Sequence, residues 1–138
     1  MDAPYAHVAC CLDGTPESLA ALAQARRLQP QGAGGRLRLV HVFHQPPLYG
    51  GLWAPDLGGL QERAQAWLAE QAATVPWAEA VLLEGGPAGA TCSWAEEEGV
   101  DLLVAATHHG PAHRAVLGSF THHLLHHAPC PVLVVRTG

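Results

Sequence analysis

Two stretches have the chemistry to hold a ligand: Gly118-Ser119 and Asp13-Gly14-Thr15-Pro16. Gly118-Ser119 follows a polar stretch and opens a helical run. Its backbone N–H groups and the Ser119 hydroxyl would face outward at the positive end of the helix dipole, which makes an anion site. Arg114, just upstream, can add a bidentate contact to a phosphate. The same residues also serve as a plain helix start with Ser119 as its cap. Asp13 follows an apolar run, where a carboxylate can accept a hydrogen bond from a ligand. Asp-Gly-Thr-Pro is equally sound turn chemistry ahead of a capped helix. On the residues alone, both readings of each stretch stand.

Other reactive side chains are less organised. There are ten histidines. His122/His126 and His123/His127 have the i, i+4 spacing that can grip zinc. Phe120, Leu124 and Leu125 are expected to supply the buried face of that helix, leaving His122, His123 and His126 facing solvent. No carboxylate or thiol is placed to complete a site, so no native or structural metal is expected. Cys10, Cys11, Cys92 and Cys130 lack the spacing of a zinc or redox motif and read as buried, reduced thiols. The sequence holds no Gly-x-Ser-x-Gly, no P-loop, no His-Glu-x-x-His and no lysine at all. Glu96-Glu97-Glu98 reads as the solvated end of a helix. No catalytic residue is assigned, and the chain is not expected to be an enzyme.

The elements that must position these groups alternate between short apolar and longer helical runs. Tyr5–Leu12 reads as a buried strand. Thr15-Pro16-Glu17 then opens a helix, with Thr15 as cap and Pro16 in the first turn. Ala21, Ala25 and Leu28 form its buried stripe, with Leu22 beside it. After a turn at Gln31–Gly35, Leu37–Phe43 is a second strand. His44–Gly59 is a Pro- and Gly-rich loop holding Tyr49 and Trp53. Leu60, Ala64, Trp67, Leu68, Ala72 and Val75 mark an amphipathic helix, and Ala80–Leu83 a short strand. Pro87–Glu98 is a helix closed by Gly99, followed by a strand at Leu102–Ala106. A polar loop, Thr107–Leu117, leads into a helix from Phe120 to about His127. Pro129 stops it, and Pro131–Val135 is the last strand.

Strand–helix alternation with two-sided apolar strands predicts an α/β fold, a parallel sheet covered by helices on both faces. Ligands of such doubly wound sheets bind outside the carboxyl ends of the strands, where strand order reverses. The loops after the first and fourth strands are the best candidates for that crevice. At 138 residues, one domain spanning 1–138 is expected. Hydrophobic residues at 49% against 14% charged make disorder an unsuitable reading. A net charge of −5 leaves no general basic surface for nucleic acid or an anionic membrane. No apolar run approaches the ~20 residues of a membrane span. Met1–His7 has no positive region, so no signal peptide is expected and the cytoplasm is the expected location.

Several segments together resemble the universal stress protein family. They are Val8-Ala9-Cys10-Cys11-Leu12-Asp13-Gly14-Thr15-Pro16-Glu17-Ser18 and Leu39-Val40-His41-Val42. The most specific are Asp101-Leu102-Leu103-Val104-Ala105-Ala106-Thr107-His108, then Leu117-Gly118-Ser119, then Ala128-Pro129-Cys130-Pro131-Val132-Leu133-Val134-Val135-Arg136. The resemblance implies a three-layer α/β/α fold, adenine-nucleotide alpha-hydrolase-like, with a doubly wound five-stranded parallel sheet. It also implies a homodimer paired through the last strand, and ATP or AMP at the switch point, with Mg²⁺ accompanying ATP.

Carried over by position, Asp13 would hydrogen-bond adenine and the Val42 backbone would contact the base. Nucleotide-binding members carry Gly-x2-Gly-x9-Gly-Ser/Thr, and here that loop departs from the pattern. Aligned on the strand, Ala106 and His109 stand in place of the first two glycines; aligned on spacing, Ala105 and His108 do. Gly110 can take the second role after a loop shift. The implied nucleotide set is Asp13, Val42, Ala106, His108, His109, Gly110, Arg114, Gly118, Ser119 and Phe120. The function expected is a regulatory protein that binds adenine nucleotide without substantial catalysis. The alternative is a dimeric stress-response adaptor of the same fold that binds none.

Overall fold

The fold is described from a computed structural model covering residues 4–43, 59–109, 115–116 and 118–137, with only the backbone described at 108, 109, 115 and 116. Five strands form the main sheet: β1 (His7–Leu12), β2 (Arg36–Phe43), β3 (Ala78–Glu84), β4 (Leu102–Ala106) and, last in the chain, β7 (Val132–Val135). Between β4 and β7 lie two short strands, β5 (His108–His109) and β6 (Ala115–Val116). The helices are α1 (Ser18–Leu28), α2 (Leu60–Ala73), α3 (Pro87–Glu98) and α4 (Ser119–His127).

The sheet order is β3-β2-β1-β4-β7, and every pairing in it is parallel. The chain therefore winds one way from β1 to β3, then returns past β1 to β4 and β7. The reversal falls between β1 and β4, which is where such a sheet opens a crevice. The expected three-layer, doubly wound parallel sheet is the observed one.

Side chains on β1 alternate between two cores. Val8, Cys10 and Leu12 pack with Ala21, Leu22 and Ala25 of α1 and Leu68 of α2. Ala9 and Cys11 face the other way, against Trp94 and Ala95 of α3 and Leu124 of α4. Burial on both faces accounts for the unbroken apolar run of β1.

Several boundaries differ from the sequence expectation. β1 starts at His7 rather than Tyr5. The Asp101 carboxylate accepts from the backbone N–H groups of Ala6 and His7, both at 2.9 Å, and so holds the approach to the strand from the side. The first helix begins at Ser18, because residues 15–20 first make tight i→i+3 bonds from Ser18, Leu19 and Ala20 to Thr15, Pro16 and Glu17. The short strand expected at Ala80–Leu83 is longer, Ala78–Glu84, and pairs along β2 from Leu37 to Phe43. Thr107–Leu117, expected as a loop, contains the antiparallel β5–β6 pair, with His108 opposite Val116 and His109 opposite Ala115. The loop expected at His44–Gly59 lies, Gly59 apart, outside the described residues.

Two apolar residues expected to be buried are not. Leu125 is 49% exposed and Leu60 is 41% exposed. On α4 only Thr121 and Leu124 are buried, so its inward face is narrower than its composition suggests.

Candidate functional site

A cavity of about 420 Å³ opens at the carboxyl ends of the strands. β1 and its exit supply Cys11, Leu12 and Asp13, and β2 supplies His41 and Val42. Leu60 of α2, Pro87 and Thr91 of α3 and Phe120 of α4 close the remaining sides. Polar groups are few against an apolar lining, the usual constitution of a small-molecule site.

Asp13 reaches the cavity and shapes the turn as well. Its Oδ1 accepts from the Thr15 backbone N–H at 2.9 Å and from the Thr15 hydroxyl at 2.5 Å. Its observed contacts are those of the turn reading, and its residue also lines the cavity. Gly14 follows at φ +88, a left-handed conformation that a side chain would strain. Beyond it, the Thr15 carbonyl accepts from the Ser18 hydroxyl at 2.8 Å and fixes the entry to α1.

His41 was not singled out from the sequence. Its Nδ1 lies 2.7 Å from the Leu12 carbonyl oxygen. A carbonyl only accepts, so Nδ1 carries the proton and Nε2 keeps its lone pair in the neutral ring. The ring also packs on Trp67, with centroids 5.3 Å apart. The signal available in sequence was a single polar residue inside the apolar run Leu39–Phe43. Val42 lines the cavity half-buried beside it.

Gly118 is the N-cap of α4 in an extended conformation, two residues before Phe120, and no side chain caps the helix. Ser119 is exposed as its first residue, so the reading of Ser119 as cap does not hold. Thr121 donates its hydroxyl to the Ala106 carbonyl at 3.5 Å and links α4 to the end of β4. Ala106 is buried at that strand end. Thr107 is committed elsewhere: its N–H donates to the Val135 carbonyl at 2.9 Å and its Oγ1 accepts from the Thr137 N–H at 2.9 Å. Phe120 lines the cavity. His108 and His109 are placed by backbone alone, on β5, while Gly110 and Arg114 lie outside the described residues.

The thiols are poorly suited to nucleophilic chemistry. Burial pushes Cys11 up to about 12, and it raises Cys10, Cys92 and Cys130 as well. Among the described residues, no group of three or more His, Cys, Asp or Glu side chains is placed to hold a metal ion.

The family model described as the universal stress protein family matches residues 4–136. This chain belongs to the universal stress protein family. A universal stress protein of Thermus aquaticus is 37% identical over 129 residues, covering 90% of this chain and 93% of that relative. Among solved structures, a universal stress protein family member from Burkholderia pseudomallei superimposes with a TM-score of 0.73 at 25% identity, covering 95% of this chain and 96% of its own. A universal stress protein family member from Arabidopsis thaliana, solved with AMP bound, has a TM-score of 0.64 at 16% identity, with 96% and 91% covered. No described helix is long and apolar enough to cross a membrane.

Proposed function

We propose that this universal stress protein is a regulatory protein that binds an adenine nucleotide, ATP or AMP, in the cavity at the carboxyl ends of β1 and β2, without substantial catalysis. The observation that carries the reading is the joint position of Asp13, His41, Val42 and Phe120 on one cavity, with the first turn of α4 beside it. The base enters against the apolar lining and offers its exocyclic amine to Asp13. Phosphate meets the backbone N–H groups and exposed hydroxyl at Gly118-Ser119. Mg²⁺ accompanies ATP through phosphate oxygens, which are its preferred ligands. The AMP held by the Arabidopsis relative supports the ligand class. Mass spectrometry of freshly purified, denatured protein should release ATP or AMP, and calorimetry should show saturable binding of one or both. No heat and no thermal shift at millimolar ATP would overturn the reading.

One feature favours a second reading, a dimeric adaptor that binds no nucleotide. Ala106 and His109, or Ala105 and His108 when aligned on spacing, stand where nucleotide-binding members carry glycine, which removes close backbone approaches to phosphate. Both readings share a homodimer formed through β7. That strand ends the sheet, and Leu133 on it is 38% exposed, so a second copy would cover an unpaired apolar edge. Free, unbridged cysteines fit the reducing cytoplasm. A monomer in light scattering at micromolar concentration would exclude the dimer.

A further inference from the structure

We infer that α4 carries two sites for divalent cations of the zinc, nickel and copper class, each gripped by one i, i+4 histidine pair on its outer face. His122, His123, His126 and His127 supply four of the ten histidines within six consecutive residues. Side chains four residues apart on a helix lie over one another on the same face. The ring centroids of His122 and His126 are 4.6 Å apart, and those of His123 and His127 are 4.5 Å apart. His126 and His127 lie 6.3 Å apart, which sets the two pairs side by side. All four residues are exposed, while Thr121 and Leu124 face the core. Among the described residues, none of the four rings is held by a hydrogen bond or an ion pair.

Neutral imidazole binds such ions through a ring nitrogen at roughly 2.0–2.1 Å. Two exposed rings already in contact need only turn about their side-chain bonds to meet on one ion. No third protein ligand converges among the described residues, so water or a ligand from a partner completes the coordination. The donor set is nitrogen alone. It suits zinc, nickel and copper and is a poor match for magnesium or calcium, which take oxygen. Both sites are therefore separate in place and chemistry from any Mg²⁺ carried into the crevice on ATP. Chelation across one helical turn also braces α4, whose first turn borders the crevice.

Calorimetric titration of the full chain with zinc chloride, nickel chloride and magnesium chloride tests the inference. Zinc and nickel should bind saturably and raise the thermal midpoint, and magnesium should do neither at these sites in the absence of nucleotide. The double variants His122→Gln/His126→Gln and His123→Gln/His127→Gln should each lose one binding event or weaken binding by roughly tenfold or more, since even outer-shell partners of a metal are worth that much. The quadruple glutamine variant should lose zinc binding while unfolding at the wild-type temperature without metal. Two results would overturn the inference: a quadruple variant that binds zinc like the wild type, or saturation of the wild type only at millimolar zinc, which is an adventitious ion only.

Discussion

The Nδ1 of His41 donates to the last carbonyl of β1, at Leu12, across 2.7 Å. That bond ties the His41 ring of β2 to the strand end from which Asp13 projects. His41→Phe keeps a ring against Trp67 but leaves the Leu12 carbonyl without this donor. The expected cost is about 1–3 kcal/mol. Thermal unfolding should register it as a midpoint lowered by several degrees, and an unchanged midpoint would show the bond to be dispensable.

Asp13 and Ser119 face the two ends of a bound nucleotide in the proposed complex. Ser119→Ala removes one hydroxyl and should cost about 1 kcal/mol of ATP affinity. Asp13→Ala should cost more, because it removes base recognition and also releases the Thr15 turn. Calorimetry on both variants checks the order, and a reversed order would place the phosphate as the dominant anchor.

His7 makes stability depend on pH. Burial lowers its pKa below 6.5, and the cations of Arg36 and Arg38 lower it further. The folded state thus prefers the neutral ring, and its Nε2 is buried without a hydrogen-bond partner among the described residues. The unfolded chain binds the proton more readily, so this contribution is full above about pH 6.5 and is lost as pH falls from there toward the folded pKa. Urea midpoints measured at pH 7.5 and 5.5 should fall on acidification. The fall should be smaller for His7→Phe, which isolates this residue from the other histidines.

Gly35 should tolerate no side chain. A Cβ there would collide with the Gln29 side-chain amide and come within 2.6 Å of the Ala6 carbonyl oxygen. Gln29 cannot easily yield: it is buried, its side-chain Nε2 donates to the Tyr5 carbonyl at 2.8 Å, and its backbone carbonyl accepts from the Trp77 indole at 2.9 Å. Gly35→Ala should destabilise by roughly 1–3 kcal/mol, the range for overpacking. Chemical denaturation measures this directly.

Strands such as β1 and β4 were legible because burial on both faces leaves an uninterrupted apolar run in the sequence. Helix α3 was legible from Pro87 at one end and Gly99 at the other. The β5–β6 pair was hidden, since two-residue strands have no period to detect. Leu60 and Leu125 misled for a different reason: helical spacing identifies a stripe but not how far the sheet beneath it extends. Asp13, which lines the cavity, and Gly118-Ser119, which opens α4, were visible as local motifs. The role of His41 depends on a partner 29 residues away in the chain, and no local pattern shows that.

β1 is hydrogen-bonded on both sides, to β2 from His7 to Leu12 and to β4 from Val8 to Cys10. Amides at its centre can meet solvent only when the whole sheet comes apart, so in deuterium exchange they should be among the last to exchange, at the free energy of global unfolding. Asp13 follows directly on that strand, so the crevice wall it forms is rooted in one of the most durable segments of the protein.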